Sequence, residues 1–414
     1  MKKSTWWIIT VIGVAVIAAV IFFMMKPGQE AKHAGKVKTN QDAKDELLVS
    51  FTDQQLNNTY YLHDRALHTE KLTAYPSIAY DSTKQLLYYT YTDEDTQKVS
   101  IRELNVKTDE EKTLFTSDDS IDSMRLSGDG KQLYLRYNKD SGEQFYVASY
   151  DLNTQKMKVL YPEKSKDDTV SSFAYDPTSN LLAIQHYSLK EDYKKIDEAN
   201  EKGRDPEPTT MKITLQTGVK GKLITRISQT INDISFSPDH KTLIYTEVKV
   251  RNEKEVSSIK MLDVETGKTT TLVKNSEDVH ILSAAQPQFS TDGSSVYFLG
   301  VAKNAKELKD DTGRKAKVRT IFEYNIKKKT VEAAWEKDGG IVNNFTVNRK
   351  RYVQLFDITG RFFILPLEMM VKLRNSWKGK QFLSRKRVVF SYFAYVTEEK
   401  KESNMSVHKK REDR

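Results

Sequence analysis

The chain has 414 residues, 30% of them charged and 38% hydrophobic, with no cysteine and a formal net charge of +9. The charged fraction excludes a polytopic membrane protein. The missing cysteine excludes disulfides, thiolate metal sites, a cysteine nucleophile and a lipid-modified N-terminal cysteine. Residues 1–348 hold 49 Lys and Arg against 50 Asp and Glu, whereas residues 349–414 hold 17 against 7. The basicity therefore belongs to a C-terminal tail. A folded face that bound nucleic acid would carry that excess itself, so no nucleic-acid partner is expected.

Residues 1–26 read as a membrane anchor. Trp6 through Met25 carries no charge and ends at Lys26-Pro27-Gly28. About twenty apolar residues at a rise of ~1.5 Å span a hydrocarbon core of ~30 Å. A cleaved signal peptide would have a shorter apolar core and small residues at its cleavage site, whereas this run ends in Phe22-Phe23-Met24-Met25. Lys2 and Lys3 favour a cytoplasmic N-terminus and an extracytoplasmic body, although lysines also follow the span. Residues 27–46 are polar and read as a flexible stalk.

From residue 47 to 356 two hairpin types alternate. The first type is a short apolar strand, a polar turn and an aromatic-rich strand. It occurs at 78–91, 124–137, 173–187, 234–248 and 287–300, with a degraded sixth copy at 345–356. Its turns hold Pro, Asp and Gly, which supply the dihedrals a tight reversal needs. The second type occurs at 59–72, 99–115, 145–161, 211–227, 258–273 and 319–335. Six hairpins of each kind, four strands to a unit of about fifty residues, are the arithmetic of a six-bladed β-propeller. With strands A to D in each blade, the C–D hairpin at 59–72 and the A–B hairpin at 345–356 are expected to share one blade and close the ring.

Ser237-Pro-Asp-His-Lys, Ser127-Gly-Asp-Gly-Lys and Ser290-Thr-Asp-Gly-Ser resemble the S-P-D-G-K turn of the WD40-like repeats in TolB-type six-bladed propellers. The resemblance covers roughly residues 59–356 and implies an all-β, six-bladed propeller behind a single N-terminal transmembrane helix. It implies no particular function, because many propellers share the turn. The separate N-terminal domain of TolB has no room ahead of the first blade, so TolB's partners do not transfer.

Strand parity places the B–C and D–A loops together on one face. The long B–C insertions at 189–210 and 302–317 are candidate partner loops, and Lys190, Glu191, Asp192, Tyr193 and Lys194 head the first. The D–A loops carry Asp118 and Asp119, Asp167 and Asp168, and Glu277 and Asp278 at equivalent places, with Glu336 and Asp338 near a fourth. Such acids would ring the mouth of the central channel, where they would raise one another's pKa or recruit a cation. No G-x-S-x-G, H-E-x-x-H or P-loop occurs, so no catalytic, cofactor-binding or metal-ligating residue is assigned and no cofactor is expected. His63 and His68 lie around a C–D turn and read as surface positions.

The tail, 357–414, loses this grammar. It holds two short apolar runs, 362–367 and 388–396, and the basic cluster Arg385-Lys386-Arg387. It reads as a disordered extension, a shifted reading frame being one source, or else as a polybasic contact with anionic lipid or wall polymer. These features together lead to the expectation of a non-enzymatic binding module tethered to the cell membrane, its body extracytoplasmic, with a protein, peptide or envelope ligand. The alternative is a sensor or enzyme that uses the acidic channel mouth for a cation or small molecule.

Overall fold

In the computed structural model the chain divides into two units, Met1–Gln41 and Asp42–Arg414. The structure describes residues 47–335 apart from short internal stretches, together with strands at 352–356, 362–366, 388–389 and 393–395. The expected anchor (1–26) and stalk (27–46), and the acids Glu277, Asp278, Glu336 and Asp338, lie outside the described residues. Among the described residues no helix is long and apolar enough to cross a membrane.

Strands β1 (Leu47–Asp53), β2 (Asn57–Leu62) and β3 (Arg65–Lys71) pair in that order. Five four-stranded sheets follow. The first is β4 (Ile78–Asp81), β5 (Leu86–Thr92), β6 (Val99–Asn105) and β7 (Glu110–Ser117). The second is β8 (Ser120–Leu126), β9 (Gln132–Asn138), β10 (Phe145–Asp151) and β11 (Lys156–Tyr161). The third sheet contains β12 (Asp168–Asp176), β13 (Leu181–Ser188), β14 (Met211–Thr217) and β15 (Lys220–Ile227), with helix α1 (Leu189–Lys202) between its second and third strands. The fourth is β16 (Thr230–Phe236), β17 (Thr242–Arg251), β18 (Lys254–Asp263) and β19 (Thr269–Val273). In the fifth, β20 (Ile281–Phe289) and β21 (Ser295–Ala302) are followed by an inserted hairpin, β22 (Glu307–Lys309) and β23 (Lys315–Lys317). Strands β24 (Thr320–Asn325) and β25 (Thr330–Trp335) complete that sheet.

The expectation of an all-β chain of six four-stranded blades holds, but its closing blade is built differently. Strand β26 (Tyr352–Phe356) pairs with β27 (Phe362–Pro366) in a separate hairpin. The A position of the closing blade is taken by β28 (Val388–Val389) and β29 (Phe393–Tyr395), both antiparallel to β1. The β1 edge needs only backbone groups and β-branched or aromatic residues opposite it, and the apolar run at 388–396 supplies them without any turn motif.

First strands of successive blades face one another. Strand β4 lies against β8, β12 against β16, β16 against β20, and β29 against β4. The core is a set of layers between blades. On β5, Leu87 and Tyr89 pack in one layer while Tyr88 packs in the next. On β17, Leu243 and Tyr245 face the third blade while Ile244 faces the fifth. Period-two alternation with both faces buried explains why the B strands read as continuous apolar runs.

The repeated turn has a simple physical basis. Ser127 Oγ donates to Asp129 Oδ1 at 2.7 Å and accepts from the Gln132 N–H at 2.8 Å. Ser237 with Asp239 and Ser290 with Asp292 repeat this, each at 2.6 Å. The residue after each Asp is left-handed: Gly130 (φ 65°), His240 (φ 62°) and Gly293 (φ 69°). These turns also touch across blades. Lys84 Nζ donates to the Gly130 carbonyl at 2.6 Å, and the Gly128 N–H donates to Tyr175 Oη at 3.0 Å. A Cβ on Gly130 would stand 2.7 Å from Asp81 Oδ2, whereas one on Gly293 would meet nothing nearer than 3.8 Å. Both Gly→Ala variants meet the left-handed penalty of ~1–2 kcal/mol. We expect Gly130→Ala to lose clearly more unfolding free energy than Gly293→Ala in urea denaturation, because only the first adds a clash.

The seam between closing and first blades is polar at its outer side. Tyr60 Oη donates to Glu70 Oε1 at 2.6 Å, Tyr89 Oη donates to the Glu111 carboxylate, and Arg102 Nη1 donates to Glu111 Oε1 at 3.1 Å. Burial pushes the Glu70 carboxyl up to about 7, against the opposing Tyr60 hydrogen bond and Arg102 charge. A raised folded-state pKa makes the protonated carboxyl a stabilising form. That contribution is complete below the ordinary glutamate range near 4.5 and is lost as pH rises through about 7, a swing of ~3 kcal/mol. In unfolding midpoints measured from pH 4.5 to 8, Glu70→Gln should match the wild type at the acid end and become increasingly more stable than it toward pH 8, a difference from which every other titrating group cancels.

Candidate binding cavity

Helix α1 occupies most of the insertion expected to be a loop. Ser188 Oγ caps it by accepting from the Glu191 N–H at 3.3 Å, and Gly203 (φ 59°) ends it. Ser188 and Glu191 stand at the spacing of a capping box, a signal legible in the sequence. The helix separates the candidate loop residues by role. Glu191 accepts from the Thr210 N–H at 3.0 Å and from Lys195 Nζ at 2.9 Å, and Asp192 accepts from the Thr209 hydroxyl. Against the cost of burial, these bonds hold Glu191 down at about 2. Both acids fasten the helix to the blade, whereas Lys190, Tyr193 and Lys194 point outward and are exposed.

The D–A and B–C loops do share a face. The Leu189 N–H donates to the Asp167 carbonyl at 2.6 Å, and Lys166 and Asp167 line a groove with α1. Two of the described acids face lysines. Asp118 lies 3.5 Å from Lys98, and Asp168 lies 3.5 Å from Lys212. The Asp119 N–H donates to Ser117 Oγ at 3.0 Å. Beside Asp168, His186 is buried with Nδ1 2.7 Å from Tyr161 Oη and Nε2 2.9 Å from Thr214 Oγ1. Burial holds its imidazole down at about 4. Among the described residues no group of three or more His, Cys, Asp or Glu could hold a metal ion.

The larger feature lies at the other end of the channel, where the A–B turns are. A cavity of about 960 Å³ opens between the inner strands of the second to fifth blades. Its wall includes Arg125 from β8, Tyr175 from β12, Asp233 and Phe236 from β16, and Gln286 and Phe289 from β20. Two matching bulges shape it. Strand β16 slips register between Asn232 and Ser235, and β20 does so between Ala285 and Gln288. Each bulge holds a non-glycine residue in the left-handed region, Asp233 at φ 58° and Gln286 at φ 52°. The Gln286 N–H donates to Asp233 Oδ2 at 2.9 Å, and Thr246 Oγ1 donates to the same oxygen at 3.2 Å. At the rim, His240 Nδ1 lies 2.7 Å from buried Asp176 Oδ2.

Sequence reasoning did not single out this site, yet it left two marks. Pro287 falls inside a strand, where proline is confined to bulges and edges. His240 stands where the other two turns have glycine. The arrangement presents a guanidinium, a carboxylate and an amide among aromatic rings, a polar recognition set on an apolar wall. Asp233→Asn keeps both an acceptor oxygen and tolerance for the left-handed region, whereas Asp233→Ala strands the Gln286 N–H. Alanine is therefore expected to lose ~1–2 kcal/mol of stability and asparagine much less, measured by thermal or urea unfolding.

No protein-family model matches the chain. YdjN of Bacillus subtilis (strain 168) is 42% identical over 331 residues, 80% of this chain and 94% of that one. Among solved structures, an oligogalacturonate lyase in complex with manganese gives a TM-score of 0.57 at 12% identity, covering 82% of this chain and 85% of that one. The β-propeller domain of the trilobed protease from Pyrococcus furiosus gives 0.52 at 12% identity, covering 83% and 96%. TolB from Acinetobacter baumannii is also a neighbour, at 0.42 and 13% identity over 70% of this chain and 63% of that one. The likenesses to the lyase and to the trilobed-protease domain establish a β-propeller fold and nothing of activity. With 42% of residues shared across four-fifths of its length, the chain belongs to the YdjN family.

Proposed function

We propose that this chain is a non-catalytic binding propeller, tethered to the cell membrane by residues 6–25 with its body outside the cytoplasm. It takes a peptide or saccharide fragment of the envelope in the cavity at the A–B-turn end of the channel. The observation that carries this reading is the pair of left-handed residues Asp233 and Gln286 on adjacent inner strands. Strain of this kind persists where surrounding structure enforces it, and it clusters at ligand-contacting positions. Here it aligns a carboxylate and an amide in a space that Arg125 also lines and that is large enough for several residues or sugar units. Peptides and saccharides both offer paired donors and acceptors to such groups and apolar edges to Tyr175, Phe236 and Phe289. The apolar, uncharged run at residues 6–25 supports the tether. The acidic channel mouth gives less support to a cation-using sensor or enzyme, since Asp118 and Asp168 already face lysines.

The test is calorimetric titration of the full chain in detergent with soluble wall peptides and oligosaccharides. Binding of at least one class is expected, weakened about tenfold or more, ~1.4 kcal/mol, by Asp233→Asn and by Arg125→Ala, with Lys190→Glu unaffected. Equal affinity of the wild type and both cavity variants would overturn the cavity assignment. A reporter fused after residue 40 that is active only in the cytoplasm would overturn the topology.

A further inference from the structure

The outward face of α1 is electrostatically unusual. At 100° per residue, Lys190, Lys194, Asp197 and Glu201 form one narrow stripe, opposite buried Ala199 and the Glu191 and Asp192 that fasten the helix. Lys190 and Lys194 are a like-charge pair at i,i+4, and so are Asp197 and Glu201; both arrangements repel within an isolated helix. The order is also the reverse of what the helix dipole favours, with cations at the N-terminal end and anions at the C-terminal end. Among the described residues, Lys190, Asp197 and Glu201 make no ion pair, and Lys194 reaches only Glu198, at 3.7 Å. The exposed apolar side chains Tyr193 and Ile196 lie on one side of the stripe, at 43% and 36% exposure. A groove of about 620 Å³ runs along it, with Lys166 and Asp167 as its other wall.

We propose that α1 is a self-association surface. Two copies of the chain pair their α1 helices antiparallel about a two-fold axis, each helix lying along the other's groove. The stripe fits this partner because its spacing is self-complementary. In one register Lys190 opposes Glu201 of the second copy while Lys194 opposes Asp197, and the symmetry repeats both pairs. Every repelling i,i+4 pair then meets opposite charge, and each helix dipole lies beside its antiparallel counterpart. An anionic surface or an acidic peptide would satisfy the basic half and be repelled by the acidic half. A second copy satisfies both without any further sequence. This proposal is independent of the cavity reading.

The absence of native cysteine makes single cysteines clean probes in the full chain, in its own membranes or in detergent. Differently tagged Lys190→Cys and Glu201→Cys copies, mixed and mildly oxidised, should give about tenfold more mixed dimer than Asn153→Cys copies, whose probe lies on the C–D turn of the second blade; that ratio corresponds to ~1.4 kcal/mol. No excess over that control would overturn the proposal. Charge reversal provides a second arm, with folding monitored by thermal midpoint. Lys190→Glu with Lys194→Glu, and separately Asp197→Lys with Glu201→Lys, should each abolish self-association, and mixing the two variants should restore it. Failure of the mixture to recover would also overturn it.

Discussion

Every blade of this protein must bury both of its faces. A twisted four-stranded sheet with apolar residues on alternate sides cannot be satisfied by one neighbour, because Tyr88 and Leu87 on β5 project into different layers. The same holds for Tyr134 and Leu135 on β9 and for Ile184 and Ala183 on β13. Each such leucine or isoleucine contributes ~1.5–3 kcal/mol on burial, but only if another blade stands on that side. A row of blades would leave a bare face at each end, and a ring leaves none. Circular closure is thus the solution of a packing problem, and here β28 and β29 join β1 in the closing sheet.

The ring also decides where strain can be held. Inner strands converge on an axis with little room, and the A strands adjust by bulging: between Ile121 and Ser123, Val170 and Ser172, Asn232 and Ser235, and twice on β20. In the second blade the bulged residue Asp122 is neutralised by Arg136, whose Nε also donates to the Val170 carbonyl at 2.9 Å. In the fourth and fifth blades the bulged residues instead lock to each other through the Gln286 N–H and the Asp233 carboxylate, and their side chains border the cavity. The same structural device thus serves as a seam in one place and as a cavity wall in another. The difference lies in whether a neighbouring cation closes over the acid.

Legibility in the sequence followed how local each signal was. The hairpins were legible because their turns are chemical: Ser, Asp and a left-handed residue within four positions fix the reversal wherever they occur. Strand parity was legible too, and it correctly placed Asp167 beside the helix that begins at Leu189. The helix itself was hidden by its polar composition, although Ser188 and Glu191 announce its start. Ring closure was misplaced because β-pairing to an open edge needs no motif, and the run at 388–396 carries none. The cavity was invisible for a further reason. Asp233, Gln286 and Arg125 are far apart in sequence and belong to no pattern, and only the convergence of four blades makes them neighbours.

The two ends of the channel differ in how their charge is disposed, and this separates binding from assembly. At the A–B-turn end, charged and amide groups border a concave space between aromatic walls, a geometry that selects a small partner able to enter. At the other end, Asp118 and Asp168 are matched locally by lysines, and unmatched charge lies on the outward stripe of a helix. Exposed pairs on such a surface are worth little individually, ~0–1 kcal/mol each, and are screened by salt. They therefore give register and reversibility more than strength. The proposed tether would add to this, because confinement to a plane raises the effective concentration of the copies. The proposed weak contacts at the loop face and the proposed recognition at the turn face are then compatible in one ring: the first can form and dissolve without disturbing the inner strands that shape the second.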